Sequence, residues 1–462
     1  MRSAEQPPQR LQLPWRPPEQ VVALLTARLG AEGLVWLDSD GSEQGQRSLL
    51  ALAPIEQRQC RGLPGEPGAS DPFAVLAELA TSGEPWLGWL SYEAGAWVEP
   101  AAHWRPPGLA LLHAVRPDPL VEFEHRDQRL WLQGRDAQRL EQFAQLICAA
   151  APAPSPQTSP QTSPAPVATD RQTATLHLPV EQWRWRTDPS TFAEQVRQLQ
   201  AWIATGDLFQ ANLTACCEQP LSAPPSAAAL LQLYRRLRLH CPAPFSGIAI
   251  GPNGSGGREA VLSASPERFL RLEASGRIET RPIKGTRPRH ADPQADAAAA
   301  AELVCSPKDR AENVMIVDLL RNDLGRVCTP GSVRVPQLVG LESYRQVHHL
   351  TSVVEGRLRG GLGLADLLRA CWPGGSISGA PKIRACQRLA ELEPVPRGPY
   401  CGSLFALDGR GGFDSSILIR SLFFSDRLVR AHAGCGIVAD SDPAGEAEEM
   451  GWKLQPLLEA LA

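Results

Sequence analysis

Apolar positions recur along this chain with two periods. Alternation marks LVWLDSD (34–40), PWLGWLSYEAG (85–95) and RLWLQGR (129–135) as strands. DPFAVLAELATSG (71–83) and DAQRLEQFAQLICAAA (136–151) carry the wider spacing of helices. The aromatic-rich stretch 86–98 reads as a buried strand followed by a turn. Further on, a helical pattern covers Asp188 to Thr205 and stops at Gly206. Alternation returns in FSGIAIG (245–251), AVLSASPERFLRLE (260–273), GRIETRPIKGTRP (276–288), SLFALDG (403–409), SSILIRSLFFSD (415–426) and RLVRAHAGCGIVA (427–439). Asp-Gly and Gly-Ser turn signals between these runs suit a mostly antiparallel sheet. Helical spacing fills 308–324, 363–370 and 379–392. A last helix opens near 444, and Pro456 is expected to end or kink it. Residues 150–170, which contain APAPSPQTSPQTSPAPVATD, cannot bury a core. The expected organisation is an α+β fold: an N-terminal α+β domain over 1–149, a Pro/Ser/Thr-rich linker or loop over 150–170, and a larger domain over 171–462.

Composition narrows the function classes. Of 462 residues, 43% are hydrophobic and 21% charged, which is globular rather than disordered arithmetic. A net charge of −4 leaves no basic footprint for nucleic acid. No apolar run reaches membrane-spanning length, and the polar, Pro-rich start lacks a signal-peptide core, so a cytoplasmic location is expected. Eleven cysteines without a CxxC pair argue against both a disulfide framework and a thiolate zinc site. Neither phosphate-binding glycine signature occurs, so nucleotide binding has little support. Only four lysines stand against 42 arginines: Lys284, Lys308, Lys382 and Lys453. Arginine serves wherever plain positive charge suffices, whereas lysine can lose its proton and act as a nucleophile.

Several segments carry candidate chemistry. In KDRAENVMIVDLLRNDLG (308–325), Glu312 shares an apolar stripe with Met315, Ile316 and Leu319. A carboxylate facing a core must be paired with an arginine or bound to a metal. In GEAEEMGWKL, Glu446, Glu449 and Lys453 share a helical face, either solvated or offering oxygen ligands. Two helices each giving one carboxylate would suit Mg²⁺. In RPIKGTRPR, Lys284 precedes a Gly-Thr turn, and Glu267 lies upstream in SASPERF. The two read either as nucleophile and general acid or as a structural salt bridge. The glycine-rich loops PGGSISGAPK, RGPYCGSL and AGCGIV can hold an anion on backbone N–H groups, and Arg420 can fork onto a carboxylate.

SASPERF, PIKGTRPR, DRAENVMIVDLLRNDLGRV, PGGSISGAPKIRA, RGPYCGSL, SSILIRS and GCGIVADSDPAGEAEEMGWK follow one another in the order of the chorismate-utilising enzymes. GDLFQANLT (206–214) resembles a further segment of that family. The resemblance runs over about 192–455, and is looser in LVWLDSD and GWLSYEAG. It implies two packed, mostly antiparallel β-sheets flanked by helices. It implies that Glu312 and Glu449 hold Mg²⁺, which binds the ring carboxylate of chorismate. Gly285, Thr286, Tyr400, Arg420, Gly434, Cys435 and Gly436 would line the substrate, with Ser376 and His349 beside the ring. Lys284, Glu267 and His349 form the implied catalytic set, Lys284 attacking C2 while Glu267 protonates the departing C4 hydroxyl.

The branch that forms 4-amino-4-deoxychorismate, toward 4-aminobenzoate and folate, has lysine at position 284. The anthranilate-forming branch typically has alanine there, and Asn212 also resembles the former. The implied activity is therefore a transferase using chorismate and ammonia. Its alternatives are anthranilate or isochorismate formation, or a non-catalytic subunit binding chorismate or tryptophan. No Gly-flanked nucleophilic Cys with a downstream His-x-Glu is seen, so the resemblance implies a separate glutaminase subunit in a heterodimer. Members of the family often bind tryptophan near segments matching LDSD (37–40) and PAPFS (242–246). Cys371-Trp372 departs from the smaller or Phe-like residues common before PGGS.

Overall fold

Among the described residues two antiparallel sheets, of twelve and ten strands, carry the fold, and each draws strands from both halves of the sequence. The computed structural model describes residues 8–149, 176–345 and 347–462; the expected linker at 150–170 lies outside them. In the larger sheet the N-terminal strands end with Val35–Asp38, which pairs with Phe245–Pro252, Trp36 opposite Ile248. Arg258–Ser265, Ser421–Ser425, Leu428–Ile437 and Gln210–Pro220 follow in order. In the smaller sheet, Pro85–Leu90 pairs with Ser403–Asp408, Leu87 opposite Ala406. The expected division at 150–170 is thus not a division of the sheets. Alternation reports only that a segment is a strand, whereas pairing is set by which sheet edges would otherwise be left bare.

The period of two splits each strand between two cores. Val35, Ala249, Val261 and Phe423 belong to the core shared with Leu87, Leu404 and Phe405 of the smaller sheet. Their neighbours Trp36, Ile250, Leu262 and Phe424 pack instead with Val21, Phe143, Phe192, Tyr234 and Met450. These five lie on helices Pro18–Leu29, Ala137–Cys148, Pro189–Ala204, Ala227–His240 and Pro443–Glu459. Helices Pro72–Ala80, Pro307–Gly325 and Leu364–Cys371 contribute Phe73, Ile316, Leu320 and Leu367 to the other core. Seven of the described helices start on an Asp or Ser whose side chain accepts a first-turn N–H: Asp71, Asp136, Asp188, Ser226, Asp292, Ser306 and Asp442. No described helix is long and apolar enough to cross a membrane.

Three local expectations are corrected, and one helix lay outside them. The helix expected from 379 begins at Lys382, because Gly379–Ala380 first pairs with Gln210–Ala211 as a short strand. Of the two outcomes expected at Pro456, an end to the last helix is overturned: the helix runs to Glu459, and buried Leu457, Leu458 and Leu461 hold its end in the core. Residues 417–420 leave the strand expected through SSILIRS, and Arg420 adopts a φ of 50°. Helix Pro293–Cys305 went unread because its alanine run gives it almost no apolar stripe.

Trp36 marks the seam between the two halves. It is fully buried, edge-on to Tyr234 at 5.4 Å, with the Arg238 guanidinium 5.1 Å from its ring. Trp36→Ala is expected to cost about 3–5 kcal/mol in urea unfolding. Fluorescence and circular dichroism should report one coincident transition, because both halves share both sheets.

Candidate active site

Strand Ile283–Pro288 joins Val347–Arg357 with a break in register: Ile283 faces Thr351 and Thr286 faces His349. Lys284 and Gly285 therefore sit opposite a single residue, a bulge of the kind that re-aims a side chain. Gly285 has a φ of 84°, and a Cβ there would lie 2.9 Å from Leu303 Cδ1 and 3.0 Å from Asp309, so glycine is required. The bulge sends Lys284 toward Gly436. A Cβ on Gly436 would lie 3.3 Å from Lys284 Nζ, 3.3 Å from Glu312 Oε2 and 2.8 Å from Gln210 Nε2. Three polar side chains thus converge on one bare stretch of backbone.

Glu267 follows strand Arg258–Ser265 and is buried. Ser376 Oγ, in the Gly-rich turn Gly375–Ile377, donates to Glu267 Oε1 at 2.7 Å. Burial raises the Glu267 pKa to about 7; the Ser376 hydroxyl, the Lys284 charge and the Ile283 N–H only partly oppose it. His349 Nδ1 lies 2.9 Å from Thr286 Oγ1. Burial, helped by Arg420, lowers the His349 pKa to about 4, so the ring is neutral at pH 7. The Arg420 guanidinium has no hydrogen bond or ion pair among the described residues. It lines a cavity of about 360 Å³ with His349, Pro266 and Tyr344. Asp40 also lines this cavity but makes no ion pair with Arg420, and a cation facing an open cavity without a bonded counter-charge is suited to an anionic ligand.

The carboxylates come from two helices. On Pro307–Gly325, Glu312 has no arginine partner among the described residues; burial raises its pKa, Lys284 and Lys308 oppose the rise, and Glu446 adds to it. It accepts no hydrogen bond from the described residues. On Pro443–Glu459 the acidic cluster splits: Glu448 is exposed, Glu446 is buried, and Glu449 is half-buried. Glu446 accepts from Lys308 Nζ at 2.9 Å and Ser441 Oγ at 2.8 Å. Lys453 Nζ sits 2.7 Å from Glu449 and 2.9 Å from the Gly434 carbonyl oxygen. Donor atoms of Cys435, Glu446 and Glu449 lie within 4.8 Å of one another. Carboxylate oxygens with Glu312 unpartnered beside them fit a hard cation such as Mg²⁺. Lys382, the remaining lysine, bonds Asp323 at 2.6 Å.

The other expected residues divide. Tyr400 is buried and stacks on His432 at 5.0 Å. Gly434 lies on the same strand face as Gly436, and a Cβ on it would lie 2.9 Å from Asn212 Nδ2. Cys435 turns the other way, as strand alternation requires, and its Sγ donates to the Glu446 carbonyl oxygen at 3.5 Å. Only its backbone remains on the substrate side. Gln210 was missed as a site residue. It is fully buried, and both amide atoms lack partners among the described residues. The signal lay in FQANLT, where Gln210, Asn212 and Thr214 alternate as polar residues on one buried strand face. A second cavity, of about 540 Å³, opens between the sheets where residues 37–38 and 244–246 meet Arg268 and Asp414.

The profile of the chorismate binding enzyme family matches residues 37–459. An anthranilate synthase component 1 from Streptomyces coelicolor is 39% identical over 420 residues, covering 87% of this chain and 79% of that protein. An aminodeoxychorismate synthase component 1 from Klebsiella aerogenes is 48% identical over 279 residues, covering 60% of this chain and 59% of that protein. Among solved structures, anthranilate synthase component I from Streptococcus pneumoniae superposes with a TM-score of 0.72 at 27% identity, covering 89% of this chain and 92% of that one. The menaquinone-specific isochorismate synthase of Escherichia coli superposes with a TM-score of 0.71 at 19% identity, covering 99% and 94%, and bears on the fold alone.

Gly436→Ala tests the convergence. The added methyl meets the ends of flexible side chains rather than backbone, so circular dichroism should be unchanged. Crowding of about 1–3 kcal/mol at the site should weaken chorismate binding by about tenfold or more, read by calorimetry.

Proposed function

The chain belongs to the chorismate binding enzyme family, and within that family we propose that it forms 4-amino-4-deoxychorismate from chorismate and ammonia. The observation that carries this reading is Lys284, bulged out of its strand among the carboxylates of Glu267, Glu312 and Glu449. The similarity to an aminodeoxychorismate synthase component 1 supports it. Anthranilate formation is the second reading, favoured by the longer match to an anthranilate synthase.

Chorismate is a dianion. Mg²⁺ held by Glu312 and Glu449 would offset the charge of its ring carboxylate, and Arg420 would receive the other. Transfer of a proton from the lysine ammonium to Glu267 prepares nucleophile and acid together. The Lys284 amine then bonds to C2, the ring double bond shifts, and the C4–O bond breaks. Glu267 gives its proton to the departing oxygen, which leaves as water. Ammonia bonds to C4, the C2–N bond breaks, and the lysine leaves as a neutral amine. The surplus proton on the new C4 nitrogen returns to Glu267. Two displacements replace one difficult step. The ammonia comes from a separate glutaminase subunit, and the product feeds 4-aminobenzoate and folate formation.

Incubation with chorismate, Mg²⁺ and ammonium should yield the 4-amino product by mass spectrometry, and Lys284→Ala should abolish it with the fold retained. Fluorescent anthranilate from the wild-type protein would overturn the proposal. Because Glu267 must be ionised to take the lysine's proton, and its pKa is raised to about 7, kcat/KM should fall as pH drops below 7. The decline should approach about tenfold per pH unit, and Glu267→Gln should cost about 10²–10⁴-fold.

A further inference from the structure

His348 stands next to His349 on strand Val347–Arg357 but points to the opposite face. It is buried, 3% exposed. Its Nδ1 lies 2.7 Å from Ser343 Oγ and its Nε2 lies 3.1 Å from Asp296 Oδ1. Asp296 is in the first turn of helix Pro293–Cys305. It also accepts from Arg289 Nε at 2.8 Å and from the His290 N–H at 2.9 Å. Arg289 in turn donates to the Tyr344 carbonyl oxygen at 2.8 Å. Serine, histidine and aspartate in a row resemble a hydrolytic triad. Here the aspartate is already engaged by arginine and backbone, which suits a clamp better than an activated nucleophile.

What the clamp holds is close to the chemistry. Arg289 follows directly on strand Ile283–Pro288, whose bulge carries Lys284. Leu303, fully buried on the clamped helix, lies against Gly285: a Cβ there would be 2.9 Å from it. The helix is therefore one wall of the bulge. His348 joins that helix to the strand that presents His349, which bonds Thr286. This bond, with Arg289, an Arg287 Nε–Glu302 Oε1 pair at 2.9 Å and packing, sets how deeply the wall sits behind Lys284.

We infer that His348 is a positioning residue for Lys284, acting through its hydrogen bond to Asp296 on the helix that backs the Gly285 bulge. The inference rests on the amination reading, in which Lys284 must stand within bonding distance of the ring. Displacement of a reacting group by about 1 Å can cost about 10²-fold in rate without weakening binding. His348 touches none of the groups expected to bind chorismate, so its loss should appear in kcat rather than KM.

The test compares His348→Leu, which removes the donor to Asp296, with His348→Gln, which retains one. Chorismate consumption is followed with Mg²⁺ and ammonium. His348→Leu should lower kcat about 10–100-fold with KM within about twofold, and His348→Gln should recover most of the loss. Hydrogen exchange over 283–305 should rise in the leucine variant only. Equal losses in kcat and KM, no recovery by glutamine, or hydrogen exchange over 283–305 unchanged in the leucine variant would each overturn the inference. If His348→Leu does not fold, Asp296→Ala replaces it under the same criteria. Lys284→Ala alone reports on the amination reading, so the failure of one does not pass for failure of the other.

Discussion

A partly buried primary amine kept among three carboxylates is the constraint on which the rest of this site depends. Burial pushes Glu267 upward until its proton is freely exchangeable near neutrality, and the nearby lysine limits how far. The same amine moderates Glu312, which has no hydrogen-bond partner of its own among the described residues. Charges at such separations inside a low-dielectric site interact far more strongly than in water. A change at one group is therefore felt at the others. This coupling explains why Lys308 and Lys453 are also in place: each bonds a carboxylate of the last helix and keeps the local balance of charge near zero.

Backbone geometry does as much as charge. Lys284 reaches the interior because two residues occupy the space of one in its strand, and only glycine fits at the second position. Arg420 points into its cavity from a left-handed backbone conformation that a regular strand would not permit. Gly434 and Gly436 keep one strand face bare where side chains from three other elements meet. Strained or irregular positions concentrated at one place are a common mark of function.

Much of this was legible in the sequence, for identifiable reasons. Strands with strict alternation, such as 129–135, and helices opened by Asp, such as 188–205, declare themselves locally. Of the four scarce lysines, Lys308 and Lys453 bond carboxylates of the last helix and Lys284 stands near the same group, whereas Lys382 bonds Asp323 elsewhere. Long-range pairing was not legible: nothing local in LVWLDSD says that its partner lies two hundred residues later. Nor was Gln210, because a polar residue in a strand reads as exposed until its neighbours are known. Cys435 was named with its loop, and only the observed strand face separates it from the glycines on either side.

The interleaved sheets bear on how this chain comes off the ribosome. Strands 421–425 and 428–437, from the last tenth of the sequence, sit in the middle of the larger sheet, between strands laid down far earlier. Until they emerge, Arg258–Ser265 and Gln210–Pro220 each wait with a long unpaired edge, and edges of that kind invite wrong partners. Such distant pairing also slows folding. From the synthesis of Gln210–Pro220 until residue 421 is made, the nascent chain therefore carries open templates that cannot close, a state prone to association.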